Sequence, residues 1–297
     1  MKIIIGAGFT GLFIANRLKE STILIEEQPD VGGVYLTDEL NGYRLPLTPP
    51  LTDEQSLENF GFELEEIKLN QVYEKVEHLK EKVCISTNCE IPSWLKLLEK
   101  DKIYIIKNVP EVLDTLKKNQ KIIRGYPIKI TSNNYIITNR GSSFNFDKLI
   151  YTGSLIRLLG ILGKKNPGLD YISAHISVLL TNKKETNWNV IINGRKGISY
   201  SYIFKMDKVD VSIFYVLSFF KGSKVPELKR VLIDLKRTKT LYPNEILAFR
   251  TMIIKEAILI GEGTPSLDIQ DNIVVCGRLG KWKNFSLYES FNEALNC

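Results

Sequence analysis

The first 33 residues constrain this chain more than any other stretch. Lys2-Ile3-Ile4-Ile5 is a short apolar run, and Gly6-Ala7-Gly8-Phe9-Thr10-Gly11 follows at once. A stretch with helical period comes next, then Thr22-Ile23-Leu24-Ile25, then Glu26 and, a few residues on, the doublet Gly32-Gly33. A G-x-G-x-x-G run alone carries little weight. Here it lies between a strand and a helix, and an acidic residue ends the following strand, which is the pattern of a dinucleotide-binding βαβ unit.

Each position has a physical reason. Gly6 permits the tight turn out of the first strand, Gly8 lets backbone approach a pyrophosphate, and Gly11 lets the helix close on the strand. The helix start then offers free N–H groups and partial positive charge to an anion, with the Thr10 hydroxyl beside them. Glu26 is placed to accept hydrogen bonds from a ribose, and its charge disfavours a 2′-phosphate. A related arrangement closes the chain. Asn272–Cys276 reads as a buried strand, Gly277-Arg278-Leu279-Gly280 as a glycine-bearing turn, and Leu287–Leu295 as a last helix. Arg278 is a charge-assisted donor for the same pyrophosphate. Asn284 and Ser286 are N-cap residues, a role that needs no ligand.

Composition fits an enzyme of ordinary size. The 297 residues are 44% hydrophobic and 25% charged, enough for one large or two small cores. The net charge of +6 comes from lysines scattered through the chain, which argues for a solvated surface and against nucleic-acid binding. Abundant Ile, Lys and Glu would suit a thermophile. The opening strand is needed for the nucleotide site, so no cleavable signal is expected, and a cytoplasmic location is. Val211–Phe220 is the most apolar window and is too short for a membrane helix. Cys84, Cys89, Cys276 and Cys297 form no C-x-x-C pair, so neither a zinc nor another metal site is expected. Cys84 and Cys89 could pair across a loop, but free thiols are the preferred reading.

The patterning predicts strands over Lys2–Ile5 and Thr22–Ile25 around a helix over Thr10–Lys19, with a right-handed crossover. Leu45–Leu51 is a rigid, proline-rich extended segment. Short helices are expected over Leu69–Lys80 and Pro92–Glu99, a strand over Ile103–Ile106 and a helix over Pro110–Lys118. Ile128–Ile130, Tyr135–Ile137 and Leu149–Ile150 read as an antiparallel meander. A β-rich block follows, with strands over Ala174–Leu180, Trp188–Ile192, Ser201–Lys205 and Val211–Phe219. Next come a helix over Pro226–Arg237 and a strand over Ile253–Leu259. The expected class is α/β: a Rossmann-like dinucleotide domain (1–50, 101–160 and 262–297) and a smaller, largely antiparallel β substrate domain (51–100 and 161–261).

Gly6–Gly11, Glu26 and Gly32-Gly33 resemble the FAD-binding fingerprint of the flavin amine oxidase and protoporphyrinogen oxidase superfamily. Asn41–Leu47 resembles the family's hairpin after the doublet. Asp147–Gly153 and Asn272–Gly280 resemble the strand-and-turn segments of the UDP-galactopyranose mutases in the same broad group. The resemblance implies FAD. It places Gly6, Gly8, Phe9, Thr10, Gly11, Glu26, Gly32 and Gly33 at the ADP moiety, Ile130 near the adenine, and Thr152 and Gly153 near the nucleotide. Gly277 and Arg278 would hold the pyrophosphate, and Asn284, Ser286 and Leu287 the ribityl and ring side. Leu47 and Thr48 would lie by the cofactor, where this chain has Leu47-Thr48-Pro49-Pro50 in place of the family's Gly-x-His element.

The chain has two histidines, His78 and His175, and neither sits in a recognisable motif. No second G-x-G-x-x-G occurs, so a separate nicotinamide domain is not expected. Gly261-Glu262-Gly263 leads into Thr264-Pro265, not into a helix. Three readings follow. The first is an FAD-dependent oxidoreductase acting on a small molecule, with Trp282, Tyr151 and Pro49-Pro50 as pocket candidates. The second is a mutase-like enzyme using reduced flavin, with Arg195, Arg237, Arg250, Tyr200 and Tyr202 as contacts to a nucleotide diphosphate. The third is a partner-dependent flavoprotein, for which a homo-oligomer or a protein electron carrier would supply what the chain lacks. The first is preferred.

Overall fold

The computed structural model describes residues 1–18, 22–85, 87–261 and 270–297. Lys19 and Gly263–Pro265, on which two of the sequence expectations fall, lie outside them. The chain divides into two compact units. One holds Met1–Leu36, Pro110–Asp170 and Gly261–Cys297, and the other Thr37–Val109 and Tyr171–Ile260. Segment 37–50, assigned from the sequence to the dinucleotide domain, belongs to the second unit.

The first unit is built on a parallel five-stranded sheet. Its strands run in the order Ile273–Val275, Lys148–Tyr151, Lys2–Ile5, Thr22–Glu26 and Lys121–Arg124. Ile3, Ile4, Leu24, Leu149 and Ile150 are wholly buried, because helices cover both faces of such a sheet and every position must be apolar. The first helix, Phe9–Leu18, packs through Phe13 on Phe291 of the closing helix Leu287–Leu295. Lys148–Tyr151 corrects one expectation. It pairs in parallel with Lys2–Ile5 and Ile273–Val275 rather than joining the meander. The meander instead comprises Pro127–Ile130, Tyr135–Thr138 and Ser143–Asn145. Helix Leu155–Ile161, capped by the Ser154 hydroxyl accepting from the Arg157 amide, was not legible from periodicity.

The second unit is dominated by a six-stranded sheet. Its order is Ile246–Ile260, Asp170–Asn182, Val211–Phe220, Tyr202–Asp207, Val190–Asn193 and Gln71–Glu74. Val211–Phe220 is buried at every position and pairs antiparallel along its whole length with Asp170–Asn182. The apolar window is thus the central strand of a covered sheet, and it offers no exposed patch for a partner. Helix Leu228–Arg237 lays Val231 and Leu235 on one face of this sheet, against Leu179, Ile203 and Phe214.

The helix expected over Leu69–Lys80 is largely absent. Gln71–Glu74 is a strand, pairing in parallel with Val190–Asn193, and helical structure starts only beyond it, with a helix over Leu79–Cys84. Four residues do not make a periodic signal, and pairing with a neighbouring strand outweighs weak helical propensity. The expectation of free thiols is overturned as well. Cys84 bonds Cys89 and Cys276 bonds Cys297, with Cα–Cα separations of 5.5 and 6.3 Å, inside the range a disulfide spans. The second bridge joins residues distant in sequence that only the tertiary fold brings together.

Candidate functional site: a dinucleotide turn

The glycines of the N-terminal turn do different jobs. Gly6 has φ +97°, and a Cβ there would lie 2.5 Å from Thr152 Oγ1. A Cβ on Gly11 would lie 2.0 Å from the Gly6 carbonyl oxygen. Both are fixed by the fold itself. Gly8 differs: its backbone is one any residue adopts, and a Cβ would meet nothing nearer than the Gly33 Cα at 3.8 Å. Nothing in the protein requires a glycine there. The remaining physical reason is an approach by something outside the chain, as in the pyrophosphate-binding turn.

The turn is held by backbone bonds on three sides. The Gly6 amide donates to Ile25 O and the Gly32 amide to Ala7 O, both at 2.9 Å, which seats the glycine doublet against the turn. A Cβ on Gly33 (φ +61°) would lie 3.3 Å from the Gly8 Cα. The Thr152 amide and hydroxyl both donate to Ile5 O, at 2.9 and 2.7 Å.

Glu26 closes the end of its strand and is 6% exposed. Its Oε2 accepts from the Ala7 amide at 2.6 Å and its Oε1 from the Gln28 amide at 2.7 Å. Burial pushes its carboxyl above the usual range. The Gln28 and Ala7 amides and the charge of Arg124, its register partner on the neighbouring strand, oppose that rise. Ala7 and Arg124 were not singled out from the sequence. Their roles depend on a backbone amide and on strand order, neither of which a motif displays.

The C-terminal turn faces the same strand ends. The Cys276 amide donates to Tyr151 O at 2.9 Å, and Gly277 (φ +70°) abuts Thr10, whose Cγ2 and Oγ1 would lie 2.9 Å from a Cβ. Gly277–Lys281 forms a short helix of its own, ended by Trp282 in the left-handed region. The turn therefore does not lead straight into the closing helix, as the sequence suggested. Arg278 lies near enough to Tyr35 for its charge to act on the Tyr35 hydroxyl, which burial pushes up to about 12.

The fold thus brings Gly6, Gly8, Thr10, Gly11, Glu26, Gly32, Gly33, Thr152, Gly153, Gly277 and Arg278 into one unit around the carboxyl ends of the sheet. Phe9 turns its side chain inward, onto Tyr35 and Phe291, leaving only its backbone for a ligand. Ser286 is engaged in a capping box with Glu289, and Leu287 is buried behind it. Ile130 is buried in the meander. Leu47 and Thr48 are buried in the second unit, where the Thr48 hydroxyl has no partner among the described residues. Trp282 and Tyr151 are core residues.

Two of the arginines expected to clamp a diphosphate are paired to carboxylates. Arg195 pairs with Glu74 at 3.6 Å and Arg250 with Asp38 at 2.6 Å. Tyr200 donates to the Thr238 hydroxyl inside the core. His78 is exposed beside Glu77. His175 is buried with Nδ1 unpartnered among the described residues, and burial lowers its pKa.

A parallel sheet, a glycine turn at its carboxyl edge, a following helix and an acidic strand end define a Rossmann-like dinucleotide-binding unit. Residues 4–54 match the family model described as an NAD(P)-binding Rossmann-like domain. No curated protein matches the chain. Among solved structures the fold is shared with a reduced UDP-galactopyranose mutase at 13% identity, covering 95% of this chain and 90% of that one (TM-score 0.67). It is shared also with a protein from Exiguobacterium sp. 255-15 assigned as a protoporphyrinogen oxidase, at 12% identity, 100% and 99% coverage and TM-score 0.69. A redesigned putrescine oxidase matches at 10% identity, 99% and 96% coverage and TM-score 0.66. The resemblance read from the sequence therefore holds for the fold.

Proposed function

We propose that this protein is an FAD-dependent oxidoreductase of the amine oxidase and protoporphyrinogen oxidase type, acting on a small molecule. The observation that carries the reading is Gly8, the one glycine of the N-terminal turn that the protein's own packing does not need. FAD would lay its pyrophosphate along Gly8 and the start of helix Phe9–Leu18, with the Thr10 hydroxyl alongside. Glu26 would hold the adenosine ribose. It already accepts two amides, and each carboxylate oxygen keeps a lone pair for a ribose hydroxyl. Gly277 and Arg278 would close the second wall, where the guanidinium neutralises phosphate charge. Bound FAD supplies a two-electron acceptor at N5 of its ring. The protein's task is then to orient a substrate C–H toward that atom and exclude water. A redox-neutral mutase reading has less support, because Arg195 and Arg250 are already paired to carboxylates.

Titration of cofactor-stripped protein with FAD and with NAD tests the cofactor. FAD should bind at least about tenfold more tightly, a difference of about 1.4 kcal/mol. Preference for NAD would overturn the assignment. Anaerobic mixing of the FAD-loaded protein with primary amines and with porphyrinogens then tests the reaction. Bleaching of the visible flavin band by one class supports the reading. Failure of every class, in protein that dithionite does reduce, contradicts it.

A further inference from the structure

Helix Leu228–Arg237 lays one apolar stripe on the sheet: Val231 and Leu235 are buried there, and Leu228 and Leu232 pack against the same core. At the edge of that stripe Leu228 and Leu232, with the exposed Ile233 beside them, join Pro243 and Phe249 to line an open groove of about 500 Å³. Ile233 and Phe249 are each 49% exposed, and Leu247 and Ile253, which alternate with Phe249 along the same strand, are 47% and 51% exposed. Exposed large apolar side chains grouped at a groove point to an interaction site.

Charge narrows the occupant. Between 221 and 239 seven lysines and arginines stand against two acids, Glu227 and Asp234. Asp234 is wholly buried, accepting from the Ser199 amide and pairing with Arg230 Nε, which takes that acid and that guanidinium together out of the balance and leaves six basic side chains against Glu227. Lys229 and Lys236, one on each side of Ile233 at helical spacing, line the groove with it. Tyr242, at 40% exposure, adds an amphipathic ring close by. An exposed apolar pair bordered by lysines suits a membrane interface, where lysine stems run along the apolar surface and their heads meet lipid phosphates.

We propose that this face of the second unit docks on an anionic phospholipid surface, with Ile233 and Phe249 entering the headgroup layer and Lys229 and Lys236 meeting its negative charge. Among the described residues no helix is long and apolar enough to cross a membrane, so attachment would be peripheral. The inference is independent of the cofactor reading.

The test is co-sedimentation of the full-length protein with phosphatidylcholine vesicles, with and without phosphatidylglycerol. Binding is expected only with phosphatidylglycerol and should weaken as salt rises. The doubles Ile233→Ser/Phe249→Ser and Lys229→Glu/Lys236→Glu should each bind about tenfold more weakly. Both alter exposed side chains, so unchanged melting and flavin content identify the loss as one of docking. Three results overturn the proposal: no binding to either vesicle, equal binding to both, or wild-type binding by both doubles. Light scattering that shows a dimer, dissociated by Ile233→Ser/Phe249→Ser, would overturn it too, by making the face a self-association surface.

Discussion

The two glycine turns of the dinucleotide unit look alike in sequence and differ in what their glycines are for. In the C-terminal turn both glycines are spoken for by the protein. Gly277 needs its positive φ and its closeness to Thr10, and a Cβ on Gly280 would lie 2.5 Å from the Tyr151 carbonyl oxygen. In the N-terminal turn Gly6 and Gly11 are equally constrained, but Gly8 is not. A glycine motif thus mixes folding and binding requirements, and only the surroundings of each Cβ separate them. The N-terminal turn is also tied into the sheet by its own backbone, through Gly6, Ala7 and Gly32. The C-terminal turn is further stapled, Cys276 at its start being bonded to Cys297 at the chain's end.

This contrast can be broken in steps. Gly11→Ala should have the largest effect, about 4 kcal/mol in chemical denaturation, because the clash is with backbone that cannot turn aside. A cost under about 1 kcal/mol would mean the turn yields and the packing argument fails. Cys297→Ser should cost about 3 kcal/mol by releasing the C-terminal staple, most visibly as early loss of the closing helix in hydrogen exchange. Reductant should reproduce that early exchange of the closing helix in the wild type and add nothing to it at that helix in the variant, since the other bridge, Cys84–Cys89, lies in the other unit. Glu26→Gln should weaken FAD about tenfold in a fluorescence titration, since one ribose acceptor is replaced by a donor. Ser286→Ala should cost about 1 kcal/mol through loss of the capping box and leave FAD affinity unchanged. A loss of FAD affinity there would restore Ser286 to the cofactor's surroundings.

The turns and the strands around them were legible because their signals are local. Lys2–Ile5 and Leu287–Leu295 appear at the expected bounds, and the antiparallel block from Asp170 to Phe220 follows from β-branched and aromatic runs. What was misread depends on partners distant in sequence. Lys148–Tyr151 follows a meander and looks like its last strand, yet its neighbours are Lys2–Ile5 and Ile273–Val275. Gln71–Glu74 is a strand only because Val190–Asn193 lies beside it. The cysteines gave no spacing motif, and the Cys276–Cys297 bridge exists because the last helix returns to the sheet. Within the site, the glycines and Glu26 were readable, whereas Ala7 and Arg124 owe their roles to amide direction and strand order.

The central claim is that the open face of Gly8 is kept for a dinucleotide, and the variant Gly8→Ala tests it most directly. Melting of the cofactor-free protein and its titration with FAD should be measured on the same sample, beside the wild type. The account predicts unfolding within about 1 kcal/mol of the wild type and FAD affinity lower by about a hundredfold, or about 2.7 kcal/mol. Unchanged FAD affinity would contradict it, as would destabilisation comparable to that of Gly11→Ala.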